Sequence, residues 1–159
     1  TVQNEQLVSQ LTEKFGDKVE KIELHPPQAA VAVDKSILVE FCKYMKEDEN
    51  LKMDFLSSLS AVDYVEDGME LVYHLCSIQL RHKITVKVKL DREKPEVPTI
   101  RDIHPGADWF EREAWELFGI DISGHPNLKT FLLPEDWEDG WPMRRDWEGN
   151  DDFVKMPEF

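Results

Sequence analysis

Apolar residues recur at helical spacing near the start of the chain, with Leu7, Val8, Leu11 and Phe15 at i, i+1, i+4 and i+8. That stripe predicts an amphipathic helix over residues 4–15, closed by Gly16 as the C′ residue. The period then shortens to two. Residues 19–24, with Ile22 and Leu24 alternating against charged neighbours, predict a strand that Pro26-Pro27 breaks, and residues 29–33 predict another. Asp34 is placed to cap a second helix. Its stripe is Ile37, Leu38, Phe41, Tyr44 and Met45, and the polar run Glu47-Asp48-Glu49-Asn50 disperses it. Residues 55–65 fit two readings, because Phe55, Leu56, Leu59 and Val62 suit a helix as well as a turn leading into a strand. The next pair is clearer. Residues 69–78 are rich in β-formers, and residues 82–90 alternate strictly, Ile84, Val86, Val88 and Leu90 against Lys83, Thr85, Lys87 and Lys89. A hairpin through residues 79–81 is expected, followed by a connection over residues 91–98. This order of elements predicts a two-layer α+β domain with helices on one face of a sheet, occupying residues 1–100.

The pattern changes after residue 100. Residues 108–119 read as a short helix, and beyond Gly119 no helical or strand period is sustained. All five tryptophans (109, 115, 137, 141 and 147) lie here, interleaved with Arg112, Arg144 and Arg145 and with Pro126, Pro134 and Pro142. Residues 101–159 are therefore expected to form a motif helix and an extended arm of the same single domain. Tryptophan and arginine are the side chains most enriched at binding hot spots. Such an arm can lie over a neighbouring protein, or it can wrap back so that its tryptophans fill its own core. The residues leave both open.

Composition narrows the function. At 159 residues and 41% hydrophobic, the chain can build one core. A net charge of −14 argues against tracking a nucleic-acid backbone and against docking on anionic lipid. No apolar run approaches the roughly 18 residues of a membrane span, and no signal peptide is expected from Thr1-Val-Gln-Asn-Glu5. These features suit a soluble, acidic cytoplasmic protein without direct membrane insertion. Two cysteines, Cys42 and Cys76, are too few to hold an iron–sulfur cluster, so any redox role is indirect.

The candidates for chemistry are few. Glu113 and Glu116 lie one turn apart and share a helix face, which would suit an acid/base couple in a carboxylate-dependent hydrolase. Against this, Asp108 with Glu111 has the form of a capping box, and Arg112 with Glu116 that of an i,i+4 ion pair. His74 and Cys76 share a strand face without a third metal ligand nearby, and His104 and His125 precede prolines, as in ordered turns. No phosphate loop, nucleophile elbow or HExxH is present.

The motifs Glu111-Arg-Glu113, Trp115-Glu-Leu-Phe-Gly119, Gly124-His-Pro126, Leu132-Leu-Pro134, Asp136-Trp137 and Trp141-Pro-Met-Arg-Arg-Asp146 resemble, in order and spacing, those of the complex I C-subunit family, the small hydrophilic subunits of its peripheral arm. About 40 residues match closely, and the earlier part agrees more loosely, through its α/β pattern and Ala61-Val-Asp-Tyr64. Many members carry Gly-His-Pro-Leu-Arg-Lys-Asp where this chain has Gly140-Trp-Pro-Met-Arg-Arg-Asp146, and its tryptophan is similar to that of the photosynthetic NDH-1 members. This departure leaves the electron donor open. The resemblance implies a mixed-sheet fold with an extended C-terminal arm. It also implies a non-catalytic role in the peripheral arm of a proton-pumping NADH:quinone oxidoreductase, at the cytoplasmic face of the membrane. The implied partners are the large quinone-site subunit and other peripheral-arm subunits. No cofactor is implied on this chain. The complex would hold iron–sulfur clusters and quinone, with flavin and NADH if NADH is the donor. An equivalent place in a membrane-bound hydrogenase-type complex is the alternative, and a free-standing hydrolase the more distant one. On this reading Arg112, His125, Trp137, Trp141, Arg144 and Arg145 bind the partner, while Glu111, Glu113 and Asp146 hold the arm's geometry. Arg144→Ala is expected to leave the domain folded and to weaken assembly.

Overall fold

The strictly alternating segment forms strand β5 (Lys83–Leu90), paired antiparallel with β4 (Met69–Cys76) in the expected hairpin. Their register sets Tyr73 beside Val86, Leu71 beside Val88 and Leu75 beside Ile84, all buried. Successive strand side chains point to opposite faces, so the intervening residues line the other side of the sheet. There Lys87 Nζ meets Glu70 at 2.7 Å, and Thr85 Oγ1 lies 3.2 Å from His74 Nδ1. The computed structural model describes residues 2–25 and 28–149. The break expected at Pro26-Pro27 and the last part of the arm, residues 150–159, lie outside the described residues.

Strands β1 (Val19–Lys21), β2 (Ala30–Val33) and β3 (Phe55–Asp63) complete a five-stranded sheet in the order β1-β2-β5-β4-β3. Only β2 and β5 run parallel, so the sheet is mixed. The ambiguous segment 55–65 is thus a strand as far as Asp63, with Val65 opening a short 3-10 turn, and its helical look has a local cause. A bulge between Leu56 and Ser58 inserts one residue, so Leu56 and Leu59, three apart, sit opposite Leu75 and Tyr73, two apart. The extra residue gives the core-facing positions a helix-like spacing.

Helices α1 (Val2–Phe15) and α2 (Leu38–Glu47) cover the apolar face with Leu11, Leu38, Phe41 and Met45, all fully buried. The ring of Phe15 packs 5.3 Å from that of Phe41 and 5.6 Å from that of Tyr44. Asp34 caps as expected, taking the Ser36 N–H at 2.8 Å, but a short 3-10 turn over residues 35–37 precedes α2. The connection over residues 91–98 is not wholly irregular. Its end is strand β6 (Glu96–Pro98), which pairs in parallel with β7 (Asp121–Ser123). Three-residue strands are too short to leave a period in the sequence. Between them lies α3 (Ala107–Phe118), which packs on β3 and ends where Gly119 adopts φ +71°.

Candidate functional site

Helix α3 buries apolar Ala107, Ala114 and Phe118, and beside them the polar residues Glu111, Arg112 and Glu116. Charged groups stay buried only when their hydrogen-bonding capacity is met. Glu111 accepts the Ile100 N–H at 2.8 Å and the Thr99 hydroxyl at 2.5 Å. The expected capping box does not form. The helix starts at Ala107, Asp108 instead accepts Arg101 Nε at 2.7 Å, and Glu111 ties down the segment before α3 rather than the arm.

Arg112 and Glu116 do not pair as i,i+4 partners among the described residues. Arg112 donates through Nε and Nη2 to the Lys129 carbonyl at 3.1 and 3.0 Å. Glu116 accepts the N–H groups of Phe131, Leu132 and Leu133 at 3.0, 3.2 and 2.9 Å. Arg112 Nη2 also reaches the Thr130 carbonyl at 3.5 Å, so one turn of helix grips two carbonyls and three amides of the arm, all main-chain groups. Glu113 is exposed, so the suggested Glu113/Glu116 acid/base couple is not assembled. Glu116→Ala is expected to cost roughly 1–2 kcal/mol, less than buried charged hydrogen bonds would, because water replaces it at the exposed arm. Hydrogen exchange checks this: amides 131–133 should lose protection while β4 keeps its own.

Further along, the arm returns to its own domain. Met143 N–H donates to the Leu117 carbonyl at 3.1 Å, and Arg144 Nε to the Phe118 carbonyl at 2.8 Å. The Arg144 guanidinium stacks 4.0 Å from the centre of the Trp141 ring. Arg145 N–H reaches Asp63 Oδ2 at 3.0 Å, and Asp146 pairs with Arg92 at 2.6 Å. Asp63 is the hub of this contact. Its fully enclosed carboxylate also takes Arg92 Nε and Nη2 at 2.9 and 3.0 Å and the Val65 N–H at 2.9 Å. These donors, Arg92 first, hold the Asp63 carboxyl far below the usual carboxylate range. Arg144 therefore has a role within the domain, and Arg144→Ala is now expected to loosen the arm in the free chain while the sheet stays folded.

The arm follows neither alternative in full: it wraps back, yet none of the five tryptophans is buried. Trp109 stays 58% exposed, edge-on to Phe131 at 5.3 Å, with the Arg112 guanidinium 4.6 and 4.8 Å from the two rings. Leu132, Trp141 and Met143 are likewise exposed. Trp137 and Trp147 pack at 5.9 Å and donate their indole N–H groups to the Gly140 and Asp139 carbonyls. The side chain of Arg145 faces solvent, and the ring of His125 is enclosed near Asp108 and Glu111. What results is a display of aromatics in which Trp109, Phe131, Trp137, Trp141 and Trp147 each contact a neighbouring ring or guanidinium, while Trp115 packs against the core. Among the described residues no cluster of three His, Cys, Asp or Glu side chains could hold a metal, and no helix is long and apolar enough to cross a membrane.

Asp63, Arg92 and Thr99 were not singled out from the sequence as site residues. Asp63 carried a signal within Ala61-Val-Asp-Tyr64. Arg92 sits in the connection over residues 91–98 and Thr99 directly after it, with no local pattern that marks either.

The sequence family described as the 30 kDa subunit of respiratory-chain NADH dehydrogenase matches residues 31–152. The C subunit of NADH-quinone oxidoreductase from Chloroherpeton thalassium is 36% identical over 151 residues, covering 92% of this chain and 62% of that protein. The C subunit of F(420)H(2) dehydrogenase from Methanosarcina mazei is 37% identical over 145 residues, with 90% of each chain covered. Among solved structures, the archaeal membrane-bound sulfane sulfur reductase, a respiratory membrane complex, contains a chain that superposes with a TM-score of 0.76 at 29% identity. That match covers 91% of this chain and 85% of the other.

Proposed function

Because the chain belongs to the family of the 30 kDa subunit of respiratory-chain NADH dehydrogenase, we propose that it is a non-catalytic assembly subunit of a proton-pumping quinone oxidoreductase. It sits in the peripheral arm at the cytoplasmic face of the membrane and packs on the large quinone-site subunit. Iron–sulfur clusters, quinone and any flavin belong to other subunits. The observation that carries this reading is the exposed pair of rings Trp109 and Phe131, prestacked on the buried guanidinium of Arg112, with exposed Leu132 beside them. Rigid aromatics lose little side-chain entropy on docking, and arginine stacked between them is already oriented, which suits a permanent interface. Trp141, Glu113 and Arg145 extend the contact surface. Glu111, His125, Trp137, Arg144 and Asp146 hold the segments around it through their contacts within the domain.

The electron donor is a separate matter. The relatives' names specify NADH in one case and F(420)H(2) in another, and one structural neighbour is a chain of a sulfane sulfur reductase. The same kind of subunit serving complexes with different donors fits a chain that touches no donor. An equivalent place in a complex fed by another donor is accordingly the second reading, supported by the structural match to the sulfane sulfur reductase.

The interface is tested by replacing Trp109 with Ala and Leu132 with Ser together. Both side chains are exposed, so the free domain should keep its stability within about 0.5 kcal/mol. Recovery of partner subunits with the tagged chain should fall at least about tenfold, equivalent to roughly 1.4 kcal/mol. Unchanged recovery would place the interface elsewhere.

A further inference from the structure

The ring of His125 is fully enclosed, and its Nε2 has no hydrogen-bond partner among the described residues. Its other nitrogen, Nδ1, accepts the Asn127 N–H at 3.1 Å. An accepting Nδ1 carries no proton, so the neutral ring is protonated at Nε2. The Nε2–H lies beside two carboxylates of α3, 3.8 Å from Glu111 Oε2 and 3.9 Å from Asp108 Oδ2. This tautomer disfavours a metal ion, because an Nε2 ligand needs Nδ1 as its protonated nitrogen. It suits a donor waiting for negative charge, a short movement away from a hydrogen bond of roughly 2.7–3.2 Å.

The surroundings identify where that charge arises. Asp108 is engaged by Arg101, and the Arg101 N–H donates to Thr99 Oγ1 at 3.1 Å, which leaves the Thr99 hydroxyl proton for Glu111. Burial pushes the Glu111 carboxyl up to about 7; the charge of Asp108 adds to this, while Thr99, Ile100 and Arg101 oppose it. The neighbouring Cys42 thiol is pushed up to about 12 by burial, and the Tyr73 hydroxyl is raised well above its ordinary value, so both stay neutral.

We propose that Asp108, Glu111 and His125 form a buried proton-binding site in which Glu111 carries the exchangeable proton and the Nε2–H of His125 closes on Glu111 when that proton leaves. The step moves one proton from Glu111 to solvent and changes no other bond. Because His125 stands in the turn that opens the arm, the site couples the protonation of α3 to the position of that turn. The inference is independent of which complex the chain serves. A buried carboxyl with a raised pKa stabilises the fold fully below its ordinary value of 4.5, and this contribution is lost as pH rises through about 7. Closure of His125 offsets part of the loss.

The test is side-chain NMR of the full labelled chain from about pH 5 to about pH 9. The neutral His125 ring should be the Nε2–H tautomer. Its Hε2 resonance should move downfield with a midpoint near about 7, coincident with the Glu111 carboxyl carbon. In Glu111→Gln the step should vanish, and added Zn²⁺ should leave the resonance in place. An Nδ1–H tautomer, a step that survives Glu111→Gln, a Glu111 carboxyl titrating as an ordinary carboxylate, or a Zn²⁺-induced shift would each overturn the proposal. If Glu111→Gln fails to fold, the coincidence of the two midpoints in the unaltered chain decides.

Discussion

Asp63→Ala is expected to lower the stability of the chain by about 3 kcal/mol, the low end of the cost of stripping one partner from a buried ion pair. Two donors of Arg92 and the N–H groups of Val65 and Arg145 lose their acceptor together. Arg92 is 17% exposed, so water recovers part of its interaction, which keeps the figure from the upper end. Asp63 also holds Val65 at φ +62°, a left-handed conformation that is costly for a β-branched residue. For a domain of this size the melting temperature should fall by roughly 6–12 °C. The pH dependence gives a second readout. A carboxyl held below its ordinary value contributes stability above that value, and the contribution is lost as pH falls through the carboxylate range and below. Asp63→Ala should therefore flatten the acid limb of the stability profile.

Gly119→Ala is expected to release the arm while leaving the sheet intact. Gly119 sits at φ +71° to close α3, and its N–H bonds to the Trp115 carbonyl at 3.0 Å. An alanine there takes on a left-handed penalty of roughly 1–2 kcal/mol. Its Cβ would also lie 2.2 Å from Cε2 of Trp141, so the indole must move. The indole is 44% exposed and can swing outward, which confines the damage. Moving it takes away the stacking of Arg144, whose bond to the Phe118 carbonyl then weakens. The expected outcome is a loss of about 2 kcal/mol with red-shifted tryptophan emission. Cleavage within the arm should become faster, and the far-ultraviolet circular dichroism should stay unchanged. If the variant melted the whole domain, the arm would be an integral part of the core.

The legible parts of the fold were those with a period. The alternation of residues 82–90 and the stripe of residues 7–15 gave their elements directly, because solvent covers one side of each and apolar packing the other. Residues 55–65 were ambiguous for a physical reason, since the bulge after Leu56 displaces one face by a residue. The pairing of β6 with β7 was not legible, because strands of three residues joined across α3 leave no period. At the site, residue types marked the right stretch but not the right roles. Arg112 and Glu116 looked like each other's partners by spacing alone, yet each turns to main-chain groups of the arm that only the folded chain brings near. Asp63 and Arg145, 82 positions apart, could not be joined from the sequence without knowing that β3 ends beside the returning arm.

The central claim is that this chain works only as part of a larger oxidoreductase, and purification of the tagged full-length chain from native membranes in mild detergent tests it directly. The account predicts recovery of a multisubunit assembly that contains iron–sulfur proteins and reduces quinone. Recovery of the chain alone as a monomer, with no iron–sulfur partner, would contradict it.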